Sequence, residues 1–106
     1  MPAVPPQNVT AVSKTSTSIF ITWDAVSSSQ LPCGILGYKV NWIFQGKRDG
    51  GKTKQFSVAK ANLTGLRKGG KFNLTVFAFD ECGDGPGSDL LIVNTDEESK
   101  WYLLYL

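Results

Sequence analysis

A chain of 106 residues is expected to be one domain, able to bury roughly two-thirds of the surface its unfolded form exposes. Its hydrophobic share of 42% and formal net charge of +2 suit a globular protein, argue against disorder and give no general attraction to nucleic acid. Histidine is absent, which removes the commonest general base and metal ligand, and 2 cysteines are too few for a structural zinc site.

In chain order, Met1-Pro2 opens no charged-then-apolar leader, so no signal peptide is expected in this sequence. The first strand is predicted at Asn8–Val12, after a proline-rich entry. Ser18–Trp23, SIFITW, points Ile19, Ile21 and Trp23 to one side, and Gly37–Phe44, GYKVNWIF, does the same with Tyr38, Val40 and Trp42. Further strands fit Thr53–Val58, Asn62–Leu66, Lys71–Phe79 and Ser88–Thr95. Between them stand the turn signals SKTSTS, SSSQLPCG, GKRDGGK, LRKGGK and DECGDGPG. No segment has helical spacing. Seven short strands, with a turn every 8–12 residues or so, predict an all-β, seven-stranded antiparallel β-sandwich. Trp23 is expected in its core, packed with Ile19, Ile21, Tyr38, Val40, Leu63, Leu66, Leu74, Val76 and Val93. Residues 1–96 form the expected domain. Residues 97–106 are an acidic and then apolar tail or linker, whose WYLLYL is far shorter than the ~20 residues of a membrane-spanning helix.

Motifs that resemble catalytic chemistry fail on context. Gly46–Thr53, GKRDGGKT, fits the phosphate-binding pattern G-x-x-x-x-G-K-[ST], and Val76–Asp80 supplies the apolar run and aspartate that often accompany it. That mechanism needs backbone amides at a helix N-terminus, whereas KQFSVAKANLTGL follows Thr53 and alternates. GKRDGGK is therefore read as a hairpin loop. Asp80 and Glu81 are adjacent and point to opposite faces, and no histidine is present to activate a serine. No enzyme, cofactor or metal is expected.

The order of these motifs resembles a fibronectin type III domain from about Pro5 to Thr95. The resemblance rests on PAVPPQNVTAV, Trp23 closing the second strand, GYKVNW, LTGLRKGGKF, FNLTVFAF, the glycine-rich loop ending at Ser88, and LLIVNT. It implies an immunoglobulin-like sandwich. Two departures stand out. Phe72 occupies the place of the family's usual tyrosine, whose hydroxyl bonds back to the preceding turn, so this corner is expected to be looser by about 1 kcal/mol. The family's usual proline in that turn is replaced by Arg67-Lys68-Gly69-Gly70. Phe72 joins Trp23 and Tyr38 in the implied core.

In the implied topology the loops holding Cys33 and Cys82 emerge at the same pole, which makes a bridge geometrically available; two unlinked thiols of an intracellular domain are the alternative. Three N-x-[ST] sequons, at Asn8, Asn62 and Asn73, fall on the polar phase of their strands and are glycosylation candidates. With the cysteines they favour an extracellular setting. The same topology gathers Lys14, Lys47, Arg48, Lys52, Lys54, Arg67, Lys68 and Lys71 at one end, and Asp24, Asp80, Glu81, Asp84 and Asp89 near the other. The basic pole suits a sulfated glycan or an acidic protein. Ile43, Phe77, Phe79, Leu90 and Ile92 are expected to form an apolar sheet face for a protein partner, for the tail or for weak homo-association. Arg48-Asp49-Gly50 lacks the Arg-Gly-Asp order of integrin-binding relatives, so that activity is not carried over.

The expected function is a non-enzymatic extracellular interaction and spacer module of an adhesion, receptor or matrix protein, flanked by neighbouring domains. A cytoplasmic scaffold or muscle-type module, a bacterial linker module and, remotely, a nucleotide-binding enzyme are the alternatives.

Overall fold

The computed structural model describes residues 2, 4–26, 33, 35–46 and 51–97. Among these residues are eight strands: β1 (Thr10–Lys14), β2 (Ile19–Thr22), β3 (Ile35–Phe44), β4 (Lys52–Phe56), β5 (Lys60–Leu63), β6 (Lys71–Asp80), β7 (Gly83–Gly87) and β8 (Leu91–Asn94). One sheet runs β1-β2-β5; the other runs β4-β3-β6-β7, with β8 also on β6, and every pairing is antiparallel.

Alternation builds both layers. Along β6 every second residue, from Phe72 through Leu74, Val76 and Ala78 to Asp80, is buried. Opposite it, β2 buries Ile19 and Ile21 and β5 buries Ala61 and Leu63. Trp23 lies 5% exposed between the sheets, its ring edge-on to Tyr38 at 5.3 Å. The expected core residues all fall inside it, Phe72 among them. Truncating a fully buried member such as Leu74 to alanine would cost about 2–5 kcal/mol.

The expected seven-stranded sandwich holds, with its last strand divided in two. β7 and β8 are two halves of one interrupted strand on the same flank of β6: β7 pairs with Phe77–Asp80, and β8 with Lys71–Leu74. At the break the Ser88 amide donates to the Val76 carbonyl at 2.8 Å, while the Ser88 hydroxyl accepts the Val76 amide at 2.9 Å. A side chain thus replaces the backbone acceptor where the register slips. GDGPG, expected as loop, is strand because pairing needs only its backbone, and Pro86 is tolerated on this edge.

Backbone bonds fix which turns meet. The Leu66 amide reaches the Thr17 carbonyl, Gln45 reaches Lys71, and Asp96 reaches Thr15. At the other end, Trp23 bonds Ala59 and Asp24 bonds Gln7.

Candidate functional site

At the end where residues 15–18, 45–46 and 64–70 converge, the three-stranded sheet stops short of β4. The inward phase of β4 therefore presents Lys52 and Lys54 to solvent instead of core residues, opposite Trp42 and Val40 of β3. Trp42 and Phe44 stay half-buried for the same reason. They floor a cleft of about 170 Å³ closed by Leu66, Phe72, Lys52 and Arg67. The Arg67 guanidinium carbon stands 4.9 Å from the Phe44 ring centroid, and Phe44 tilts against Phe72 at 5.5 Å.

Thr95 holds the turn beside this cleft. Its hydroxyl, on a residue 4% exposed, donates to the Arg67 carbonyl at 2.6 Å and accepts the Gly70 amide at 2.9 Å. The Thr95 amide returns to the Gly70 carbonyl at 2.9 Å, and the Gly69 amide, at φ 59, reaches Asp96. A hydroxyl from the end of β8 thus serves the turn that Phe72 cannot reach. A Cβ on Gly70 would stand 2.8 Å from the Phe44 ring, so a side chain there would have to displace that ring.

Lys14 donates to the Asn94 carbonyl at 2.8 Å and faces Asp96 at 3.7 Å. Lys52, Lys54, Arg67, Lys68 and Lys71 are exposed, and among the described residues none has a carboxylate within ion-pair distance. Lys54 stands mid-strand, its ammonium 5.7 Å from the Phe56 ring. Lys47 and Arg48 lie outside the described residues. The acidic grouping is less uniform than expected. Asp80 is buried, at 4% exposure, and accepts the Cys82 amide; Asp84 pairs with Lys39 at 2.8 Å; Asp24 accepts from Asn8. Glu81 and Asp89 are exposed.

Cys33 and Cys82 are joined, with Cα atoms 6.1 Å apart, tying the entry to β3 to the β6–β7 turn. Their sulfurs and the Asp80 carboxylate lie within 4.8 Å of one another, but the bridge consumes both thiolates and leaves no metal-ligand set. GKRDGGKT runs into strand β4, paired with β3, where a phosphate cradle would need a helix N-terminus.

The five residues of the expected apolar sheet face differ in exposure. Phe77 and Phe79 are half-buried because each ring covers a cross-strand glycine, Gly87 and Gly37 respectively. Phe79 also carries the Lys39 ammonium at 5.0 Å. Ile43 is half-buried, with Gly51 packed closely against it, and the polar Asn73 separates it from Ile92 in the register. Leu90, at 57%, and Ile92, at 52%, remain exposed, and Leu90 precedes β8 instead of lying on it. The bare patch is thus smaller than five residues. WYLLYL lies outside the described residues.

The sequons differ in setting. Asn8, at φ 57, commits its Nδ2 to Asp24 at 2.6 Å. Asn73 is half-buried and accepts from Gln45 at 2.6 Å. Asn62 is exposed on β5. Sequence reasoning missed the Trp42–Phe44 cleft and Thr95; the signal for Thr95 was its place two residues after buried Val93.

Known proteins place this geometry. The chain is 34% identical over 105 residues to chicken (Gallus gallus) protein sidekick-1, aligned over 93% of this chain and 5% of that protein. It is 30% identical over 101 residues to the human cell adhesion molecule DSCAM, covering 92% of this chain and 5% of the relative. It thus spans about one-twentieth of these relatives' length. Among solved structures, the chicken CNTN1 FN1-FN3 domains superpose with a TM-score of 0.80 at 21% identity, over 90% of this chain and 33% of that one. The fn3 domain of human contactin 1 also gives 0.80, at 22% identity, over 92% of this chain and 82% of the other. The family model described as the fibronectin type III domain matches residues 4–94, and the chain belongs to that family.

Proposed function

We propose that this chain is a non-enzymatic extracellular module of a larger adhesion or receptor protein, which spaces its neighbours and binds protein partners, and whose basic end meets a sulfated glycan. The observation that carries the glycan reading is the set of five cations lacking carboxylate partners among the described residues, three of which (Lys52, Lys54 and Arg67) stand beside the half-buried rings of Trp42, Phe44 and Phe56. Sulfate esters supply the missing negative charge. The rings give the ligand's C–H faces an apolar floor, and the low dielectric beside them strengthens each ion contact. The cell adhesion relative and the Cys33–Cys82 bridge support the extracellular setting.

Immobilised heparin tests the glycan reading. Retention beyond physiological ionic strength, about 0.15 M, is the expected result; elution well below it overturns the reading, because contacts of that weakness are screened in the cell's surroundings. Thiol titration of the denatured, non-reduced chain tests the setting separately. Bridged cysteines are expected, and two free thiols would move the module to the cytoplasm.

A further inference from the structure

We infer that Asn62 carries an N-linked glycan and that the ring of Phe20 is the platform on which its first sugar rests. The inference depends on the extracellular reading and adds a modification site to it. Asn62 sits on β5, an edge strand of the three-stranded sheet, and its side chain is exposed. Its amide makes no hydrogen bond among the described residues, and Thr64 of the same sequon is exposed. The other two sequons are less accessible: Asp24 holds the Nδ2 of Asn8, and Asn73 is half-buried on a central strand, its side-chain carbonyl oxygen accepting from Gln45.

A second observation is independent of the first. Phe20 alternates with buried Ile19 and Ile21, so it stands on the outer face, half-buried, and it pairs directly with Asn62 across the β2–β5 ladder. Directly paired residues hold their Cβ atoms about 5 Å apart. A sugar on the Asn62 Nδ2, a few bonds beyond that Cβ, is thereby brought within reach of the Phe20 ring. The ring's negative face attracts the sugar's polarised C–H groups. The glycan would also screen the unpaired edge of β5 against addition of a foreign strand.

The chemistry balances without help from this chain's own groups. The Asn62 Nδ2 forms a bond to the sugar C1 as C1 leaves the oxygen of a lipid-linked pyrophosphate. The amide gives up one proton and the pyrophosphate lipid departs as the anion.

The test uses the 106-residue chain secreted from eukaryotic cells, with Thr10→Val and Thr75→Val removing the other sequons by β-branched replacements. Glycopeptide mapping should find Asn62 occupied, and Asn62→Gln should abolish the modification. Enzymatic removal of the glycan should lower the melting temperature by roughly 4 °C, and by less than about half of that when Phe20→Val is present. The amide-to-carboxylate change left by the enzyme is common to both chains and cancels. Unmodified Asn62 in a chain with bridged cysteines overturns the site and leaves the extracellular reading standing; unmodified Asn62 with two free thiols removes both. An equal loss in melting temperature with and without the Phe20 ring overturns the platform.

Discussion

Replacing the Thr95 hydroxyl by a methyl group removes, in one step, a donor to the Arg67 carbonyl and an acceptor for the Gly70 amide. Both backbone groups sit in the turn beside the cleft, and burial of Thr95 keeps water from substituting easily. Thr95→Val should therefore cost about 1–3 kcal/mol in urea unfolding, with the slope unchanged, while Thr95→Ser should recover most of it. Equal stability of the valine variant would show that the turn is held by its backbone bonds alone. The expectation of a loosened corner came from Phe72 taken singly. Its physical basis, the missing phenol, is sound, but the group that compensates is more than twenty positions away and belongs to another strand. Tyr38 makes a comparable contact that its apolar neighbours also hid: its hydroxyl accepts the Val26 amide at 2.9 Å and anchors the chain leaving β2.

Elements whose side chains alternate were legible, and those built on backbone alone were not. β6 could be read residue by residue because burial follows its period of two from Phe72 to Asp80. β7 could not, since GDGPG carries no hydrophobic phase and its composition is that of a turn; only the ladder to β6 makes it a strand. β1 shifted by two residues for a related reason: Val12 bulges out between the pairs Ala11–Ile21 and Ser13–Phe20, and is 58% exposed. The Cys33–Cys82 bridge belongs to this scale, because it staples the entry of β3 to the β6–β7 turn across a separation of 49 residues. Loop-closure entropy assigns it about 4 kcal/mol, so the Cys33→Ala, Cys82→Ala chain should melt well below the bridged one. A loss under about 1 kcal/mol would mean that the Asp80 bond to the Cys82 amide and the Tyr38 bond to Val26 already hold these segments.

At the scale of the whole molecule, sorting of charge follows from the topology, and sequence order alone does not give it. Lys14, Lys52 and the Arg67–Lys71 turn are far apart along the chain and meet at one end because the turns at residues 15–18, 45–46 and 64–70 are bonded together there. The resemblance carried that inference; the aromatic cleft beneath the cations escaped it, since Trp42 and Phe44 share the phase of buried Val40 and only the short reach of the opposing sheet leaves them partly open. If this end binds a sulfated glycan as a local site, neutralising one cation at a time should lower the salt concentration of heparin elution in steps. Lys52→Gln and Arg67→Gln should give the largest steps, because both line the cleft, and Lys68→Gln a smaller one. Lys60→Gln is the control. Lys60 is exposed at the start of β5, paired with Thr22, away from the converging turns. It removes the same unit of net charge and should leave elution nearly unchanged. Exposed substitutions of this kind are expected to stay within about 0.5 kcal/mol of the parent in stability, so altered retention would not reflect unfolding. Equal steps for all four variants would mean that heparin responds to overall charge, and the cleft would then lose its claim to be the site.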